Sequence, residues 1–139
     1  GRKADSICSI FRMMDTLEKV STVVCRHYDQ EPDRLFTRSG KRAIAEPRQL
    51  VIAILNLGMR WSLNDSTRPF GLHWTYGCHY VRTTVINLYD TDPQYRARVD
   101  AILNDLELTK SQRRRMFYRL RNTNGNDHDN RRAHCKGQR

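Results

Sequence analysis

Two segments of this chain concentrate side chains suited to contacts with phosphates and base edges. The first contains the cations Arg38, Lys41 and Arg42 and, a few residues later, the pair Arg48-Gln49. The second, residues 73–83, mixes histidine, threonine and arginine with bulky aromatic side chains. Guanidinium and ammonium groups bind phosphates, and amide, imidazole and hydroxyl groups bind base edges in a groove. These residue types therefore indicate a nucleic-acid partner.

The distribution of charge agrees with such a partner. The net charge of +10 is concentrated at the C-terminal end, because residues 109–139 hold ten Lys/Arg against two Asp. Cationic segments of this density attract polyanions, of which nucleic acid is the commonest. The same charge would also serve solubility or unspecific binding, and composition does not separate these alternatives.

Metal binding and catalysis find little support in the residue spacing. Cysteines stand at positions 8, 25, 78 and 135 without a Cys-x-x-Cys motif. The neighbours in Cys78-His79 and in His134-Cys135 would point about 100° apart on a helix, which disfavours a shared zinc ion. Asp90 and Asp92 fall at a helix junction, where capping explains them. We therefore expect no metal, no cofactor and no enzymatic activity.

The same composition bears on localisation. Four cysteines without a dense disulfide framework favour a reducing compartment. No apolar run approaches the ~18–20 residues that cross a bilayer. Asp5, Asp15 and Glu18 would interrupt the apolar part of a signal peptide. We expect a soluble, cytoplasmic protein that does not contact membranes.

Helical periodicity dominates the chain and predicts an all-α fold. Residues 5–28 place an apolar stripe at spacings of three and four, which predicts a long first helix. Residues 33–36 suit a single helical turn, and Thr37 to Ala45 is polar and basic, as in a loop. Pro47 then suits the first turn of a helix. That helix is apolar nearly all round up to Gly58, so we expect it to lie at the centre of the fold.

A helix-turn-helix is predicted next. Ser62 with Asp65 resembles a capping box, and Pro69 and Gly71 should end the short helix that follows. A second helix starts near Thr75. On it, one apolar face is formed by Cys78, Val81, Val85 and Leu88, and the opposite face by His79, Arg82 and Thr83. Two helices joined by a short turn, with cations upstream, suit docking on a DNA duplex.

The C-terminal third continues the helical pattern. Asp92-Pro93 predicts the start of a sixth helix, with Tyr95, Val99, Ile102, Leu103 and Leu106 pointing inward. Thr109 with Gln112 is expected to cap a seventh, with Met116, Phe117 and Leu120 inward and five arginines outward. We therefore expect a helix-turn-helix domain over residues 5–106, a basic helix over 107–121 packed on it, and a disordered basic tail over 122–139.

Three motifs carry a resemblance to a known family: Glu46-Pro47-Arg48-Gln49-Leu50, Ser62-Leu63 and Phe70-Gly71. At these positions the chain resembles the C-terminal DNA-binding domain (domain IV) of the bacterial replication initiator DnaA, over roughly Leu17 to Leu106 and without gaps. The family's Asp-His-Thr-Thr-Val-like signature aligns with residues 74–78. A rival alignment on residues 82–85 would leave too little helix before Asp92-Pro93. No Gly-x-x-x-x-Gly-Lys-Ser/Thr run is present, so we expect a relative without the ATPase module.

The resemblance implies a role for each candidate residue. Arg48 and Gln49 would contact the DNA backbone, the loop cations would contact a groove or phosphates, and the residues that start the second helix would face the major groove. The full set of candidate duplex contacts is Arg38, Lys41, Arg42, Arg48, Gln49, Ser62, His73, Trp74, Thr75, Tyr76, His79, Arg82 and Thr83. Trp74 or Tyr76 would alternatively pack into the turn as core.

The leading hypothesis is thus a double-stranded DNA-binding protein in replication control or transcription regulation of a chromosome or mobile element. The alternative is an RNA-binding or protein-interaction module that uses the arginine-rich segment Arg113-Arg114-Arg115 with Arg119 and Arg121. The resemblance favours a monomer, although the long first helix would also suit pairing with a second copy.

Overall fold

The structure is a computed structural model. It describes residues 2–116, and within them it leaves out the side chains of residues 2–9, His79 and Tyr80. All regular secondary structure in this range is helical, which confirms the all-α prediction. The helices are α1 (Arg2–Tyr28), α2 (Arg42–Ala53), α3 (Leu63–Thr67), α4 (Trp74–Tyr76), α5 (Arg82–Thr91), α6 (Pro93–Asp105) and α7 (residues 110–116).

Short helical turns of other pitch extend this set. A 3₁₀ turn spans Pro32–Phe36, and another, Arg68–Phe70, follows α3 directly. A π-helical turn, Ile54–Gly58, prolongs α2, and a second one, Gly77–Val81, joins α4 to α5. Because α4, this turn and α5 run on without a break, they form one continuous helix, called here the 74–91 helix.

Within residues 10–28 of α1, whose side chains are described, the buried residues lie in the second half of the helix. Val20, Val24 and Cys25 are buried, whereas Phe11 and Met14 on the predicted apolar stripe are 60% and 59% exposed. In this described part, the stripe joins the core from about Leu17 onward, where α1 meets α2 and α6. No helix within residues 2–116 combines the length and apolar character that a bilayer crossing requires.

Helix α2 is central, as predicted, but it begins earlier than the proline suggests. It starts at Arg42, so the expectation of a loop as far as Ala45 is wrong for its last four residues. The carbonyl of Lys41 accepts hydrogen bonds from the N–H groups of Ile44 and Ala45, at 2.9 and 2.8 Å, and these close the first turn before Pro47. Pro47 itself lies inside the helix, where it has a helical φ but no N–H to donate and its ring crowds the carbonyl four residues earlier, so it costs stability at this position.

The core is built around the end of α2. All six residues from Leu50 to Leu55 are 0% exposed, so this stretch is covered on every side. Helices α1, α3 and α5 contact α2 directly. The sequence expectation that an all-round apolar helix lies at the centre is confirmed.

The predicted short helix, turn and second helix are present between residues 62 and 91. The Ser62 hydroxyl accepts a hydrogen bond from the Asp65 N–H at 2.9 Å and caps α3. Gly71 ends the following 3₁₀ turn with a φ of 70°, in the left-handed region that glycine adopts most readily. The apolar face predicted for the second helix is confirmed, because Cys78, Val81 and Val85 are at most 4% exposed and Leu88 is half-buried against the core.

The last helices follow the predicted capping. The Asp92 carboxylate accepts from the N–H groups of Gln94 and Tyr95, and the five residues predicted to point inward from α6 are all buried. Thr109 and Gln112 exchange reciprocal hydrogen bonds of 2.9 and 3.1 Å at the start of α7. Met116 is 0% exposed, as predicted. The predictions for Phe117, Leu120 and the tail lie outside the described residues.

The expectation that the arginines of α7 point outward is wrong for Arg113 and Arg115. Arg113 donates to the side-chain oxygen of Asn104 at 2.8 Å, and Arg115 donates to the carbonyl of Gly58 at 2.9 Å. Arg114 alone of these three is exposed. Asn104 and Gly58 offer oxygen acceptors within reach of the helix, and a charged donor at a C-terminal carbonyl is favourable.

Candidate nucleic-acid interface

The basic loop, residues 37–41, is held against α2 by a single side chain. Arg48 Nη1 donates to the carbonyl of Thr37 at 2.9 Å, and Nη2 donates to the carbonyl of Ser39 at 2.5 Å. Arg48 is only 5% exposed. The expectation that Arg48 is an exposed phosphate contact is therefore wrong, because its planar fork is already occupied by two backbone acceptors. Its position places the loop instead.

The next residue on α2 reaches the start of the 74–91 helix. Gln49 Nε2 donates to the Tyr76 hydroxyl at 3.1 Å. Consecutive residues of α2, Arg48 and Gln49, thus contact the basic loop and the start of the 74–91 helix. The structure brings together the two segments that the sequence separates by some thirty residues.

The first turn of the 74–91 helix is capped by an unusual residue. His73 precedes the helix with extended backbone, and its Nδ1 accepts from the Thr75 N–H at 3.3 Å. The same nitrogen lies 2.9 Å from the Thr75 hydroxyl. His73 is exposed, so the capped end of the helix faces solvent. The Thr75 side chain is half-buried and is used locally by this cap.

The two aromatic residues beside the cap differ in their environment. Tyr76 packs against the hydrophobic core while its hydroxyl accepts from Gln49. Trp74 is half-buried, and its ring lies 5.4 Å from the His73 ring. Arg82 and Thr83, about two turns after Trp74, are also half-buried, and the side chain of His79 is outside the described residues. Of the two aromatic residues, Tyr76 is therefore the one with a structural role.

The loop cations differ in their availability. Arg38 and Lys41 are exposed. The Arg42 side chain is 80% exposed and pairs with Glu46, one turn on, at 3.3 Å; Glu46 also lies 3.6 Å from Arg98. Exposed pairs of this kind contribute little to stability, so Arg42 can exchange its carboxylate partner for a phosphate. Ser62 is committed to capping α3.

Two residues near this surface were not among the sequence candidates. Arg68 is exposed in the 3₁₀ turn that precedes Gly71, and Phe36 is 42% exposed at the end of the 3₁₀ turn before the loop. The Phe36 and Phe70 rings stack at 4.9 Å with an interplanar angle of 10°. Nothing in the local periodicity marks these positions, because their proximity arises from the contact between the two turns.

Of the four cysteines, Cys25 and Cys78 have described side chains. Burial, and next the nearby Glu31 carboxylate, raises the pKa of the Cys25 thiol to about 11, so the thiolate is disfavoured at neutral pH. Cys78 is disulfide-bonded, which the expected reducing compartment did not anticipate. No group of three or more potential metal ligands occurs among the described residues, and His134-Cys135 lie outside them.

Burial also affects two tyrosines that face Glu46. The pKa of Tyr28 is raised, first by desolvation and then by the Glu46 carboxylate. Desolvation raises the pKa of Tyr95 as well, with Tyr28 and Glu46 as further causes. Both phenols therefore stay protonated through the physiological range.

Comparison with known proteins gives no match that would assign a function to this surface. No protein-family model matches the chain, and no curated protein or solved structure matches it significantly. The resemblance to the DNA-binding domain of DnaA therefore rests on the residues that carry it, at positions 46–50, 62–63 and 70–71.

Proposed function

We propose that this protein binds double-stranded DNA, with the capped end of the 74–91 helix in the major groove and the loop of residues 37–41 on the adjacent backbone or minor groove. The observation that carries the proposal is the pair of contacts made by α2. Arg48 fixes the loop and Gln49 reaches Tyr76, so one helix holds both the exposed cationic loop and the start of the 74–91 helix that the exposed His73 caps.

The charges and termini at this surface suit a duplex. Arg38 and Lys41 project from the loop without being buried. Residues of the first turns of the second helix are the ones that reach base edges in helix-turn-helix proteins. Together they would supply backbone contacts for affinity and groove contacts for selectivity.

The biological setting that fits this activity is replication control or transcription regulation of a chromosome or mobile element. It follows from the resemblance to the initiator's DNA-binding domain. The alternative, binding of RNA or protein through the arginine-rich segment, is less favoured, because Arg113 and Arg115 are both bonded to the body of the protein.

Selection of bound sequences from a pool of random duplex DNA, followed by titration at several salt concentrations, tests the proposal. Lys41→Ala should weaken binding to all duplexes alike and lower the salt slope by about one unit, since one phosphate contact is lost. Lys19→Ala is the matched control, because Lys19 is exposed on α1 and takes no part in this surface. Absence of duplex binding at low salt, or equal effects of the two substitutions, would refute the proposed interface.

A further inference from the structure

Phe36 is an exposed aromatic side chain held in a fixed position. Leu35, immediately before it, is 0% exposed and anchors the turn in the core. Thr37, immediately after it, bonds through its hydroxyl to the Arg34 carbonyl at 2.7 Å, while its own carbonyl accepts from Arg48. The backbone is therefore anchored on both sides of Phe36, although 42% of the residue remains exposed.

The ring of Phe36 has one face in use and the remainder open. Its stack with Phe70 is nearly parallel, at 4.9 Å between ring centres. Since one face lies on Phe70, the exposed part of the residue belongs to the other face and the edge. A rigid, backed aromatic ring of this kind loses little entropy when a planar group stacks on it.

Two exposed arginines lie on the segments that carry the stacked rings. Arg38 follows it by two residues in the basic loop, and Arg68 occupies the same turn as Phe70. Both are exposed, and the two turns that carry the stacked rings contact each other. An open aromatic face flanked by exposed guanidinium groups matches a partner with flat rings on an anionic backbone. Nucleic acids whose bases are unpaired offer both.

We propose that Phe36, flanked by Arg38 and Arg68, is a stacking site for an unpaired base of single-stranded DNA adjoining the bound duplex. This inference rests on the proposed function, because the basic loop that would lie on the duplex begins directly after Phe36. A paired base has both faces covered by its neighbours, so the site discriminates in favour of a junction between duplex and single strand.

The test compares a blunt duplex with the same duplex carrying a single-stranded extension of about six nucleotides, within the range of known single-strand sites. The wild-type protein should bind the extended duplex more tightly. Phe36→Leu keeps an apolar contact with Phe70 but removes the aromatic face, and it should lose about 5- to 100-fold of affinity for the extended duplex only, as expected for one stacked base. Phe36→Tyr is the matched control and should retain the preference.

A second measurement guards against misfolding of the Leu variant. Photo-crosslinking of wild-type protein to an extension that contains 5-iodouracil should give an adduct on the peptide with Phe36. Equal binding of both duplexes by wild type, an unchanged ratio in Phe36→Leu, or crosslinks only elsewhere would each overturn the inference. Failure of the wild-type protein to bind the blunt duplex would instead refute the proposed function. The two failures are therefore distinguishable.

Discussion

Arg48 illustrates how a single guanidinium places a functional loop without touching a ligand. Both of its terminal nitrogens donate to loop carbonyls, and its Nε is buried without a partner. Burying a guanidinium that has only two acceptors costs free energy. The two hydrogen bonds to the carbonyls of Thr37 and Ser39 offset part of this cost, and they hold the loop against α2. Loop position, and with it the site of Arg38 and Lys41, depends on this side chain.

We therefore expect Arg48→Ala to lower the free energy of unfolding by about 2 kcal/mol, since two charge-assisted hydrogen bonds are lost. Arg48→Lys should be nearly as damaging, because one ammonium nitrogen would replace the two guanidinium nitrogens that reach the two carbonyls separately. Urea denaturation measures both values.

Duplex titration of the same variants separates placement from direct contact. If Arg48 only positions the loop, both variants should weaken binding and Lys should not rescue it. A drop in salt slope of about one unit in Arg48→Ala, rescued by Lys and without loss of stability, would mean that Arg48 contacts phosphate.

At the scale of elements, the close approach of α3 to the 74–91 helix depends on Gly77. A Cβ at this position would lie 3.1 Å from Leu63 Cδ2 and 3.2 Å from Thr67 Cγ2. Thr67 is buried and its hydroxyl is bonded to the Leu63 carbonyl, so it has little room to move. The two helices approach closely because residue 77 has no side chain.

Gly77→Ala should therefore destabilise the protein by about 1 kcal/mol, as the overpacking outweighs the higher helix propensity of alanine. Gly58→Ala is the matched control. It also lies in a π-helical turn, but its added Cβ would meet only Met116 Sδ at an ordinary 3.9 Å. Thermal unfolding of both variants measures the difference in stability. Equal stabilities of the two variants would show that the approach of α3 to the 74–91 helix is not tight.

At the scale of the whole molecule, α7 is held by contacts from the middle of the chain. Arg115 reaches the Gly58 carbonyl at the end of the central helix, and Gln112 Nε2 lies 3.4 Å from Met59 Sδ. The His27 imidazole and the Asp105 carboxylate lie 2.6 Å apart and link α1 to α6. These contacts join segments far apart in sequence into one body.

Removing Arg115 should thus affect stability more than removing its neighbour. We expect Arg115→Ala to lower the free energy of unfolding by about 1–2 kcal/mol and Arg114→Ala by less than about 0.5 kcal/mol. The reason is that Arg115 bonds to the Gly58 carbonyl, whereas Arg114 is exposed. Chemical denaturation measures the difference. Should the two variants unfold alike while both weaken DNA binding, α7 would be a solvated basic segment rather than a docked helix.

Much of the secondary structure was predictable because its causes are local. Ser62, Asp92 and the Thr109–Gln112 pair are capping residues whose partners lie two or three positions away. The apolar stretch from Leu50 to Leu55 likewise shows in its composition that it must be covered on all sides. Such features need no knowledge of the rest of the chain.

The candidate site was predictable only in part. The sequence by itself determined an all-helical chain, the helices at Leu63 and Trp74 and the cationic segment before them. Tertiary structure alone decided that Arg48 turns inward and that Phe36 meets Phe70. The physical reason is that capping and periodicity act within a few residues, whereas the direction of a long side chain depends on which acceptors and rings packing brings within its reach.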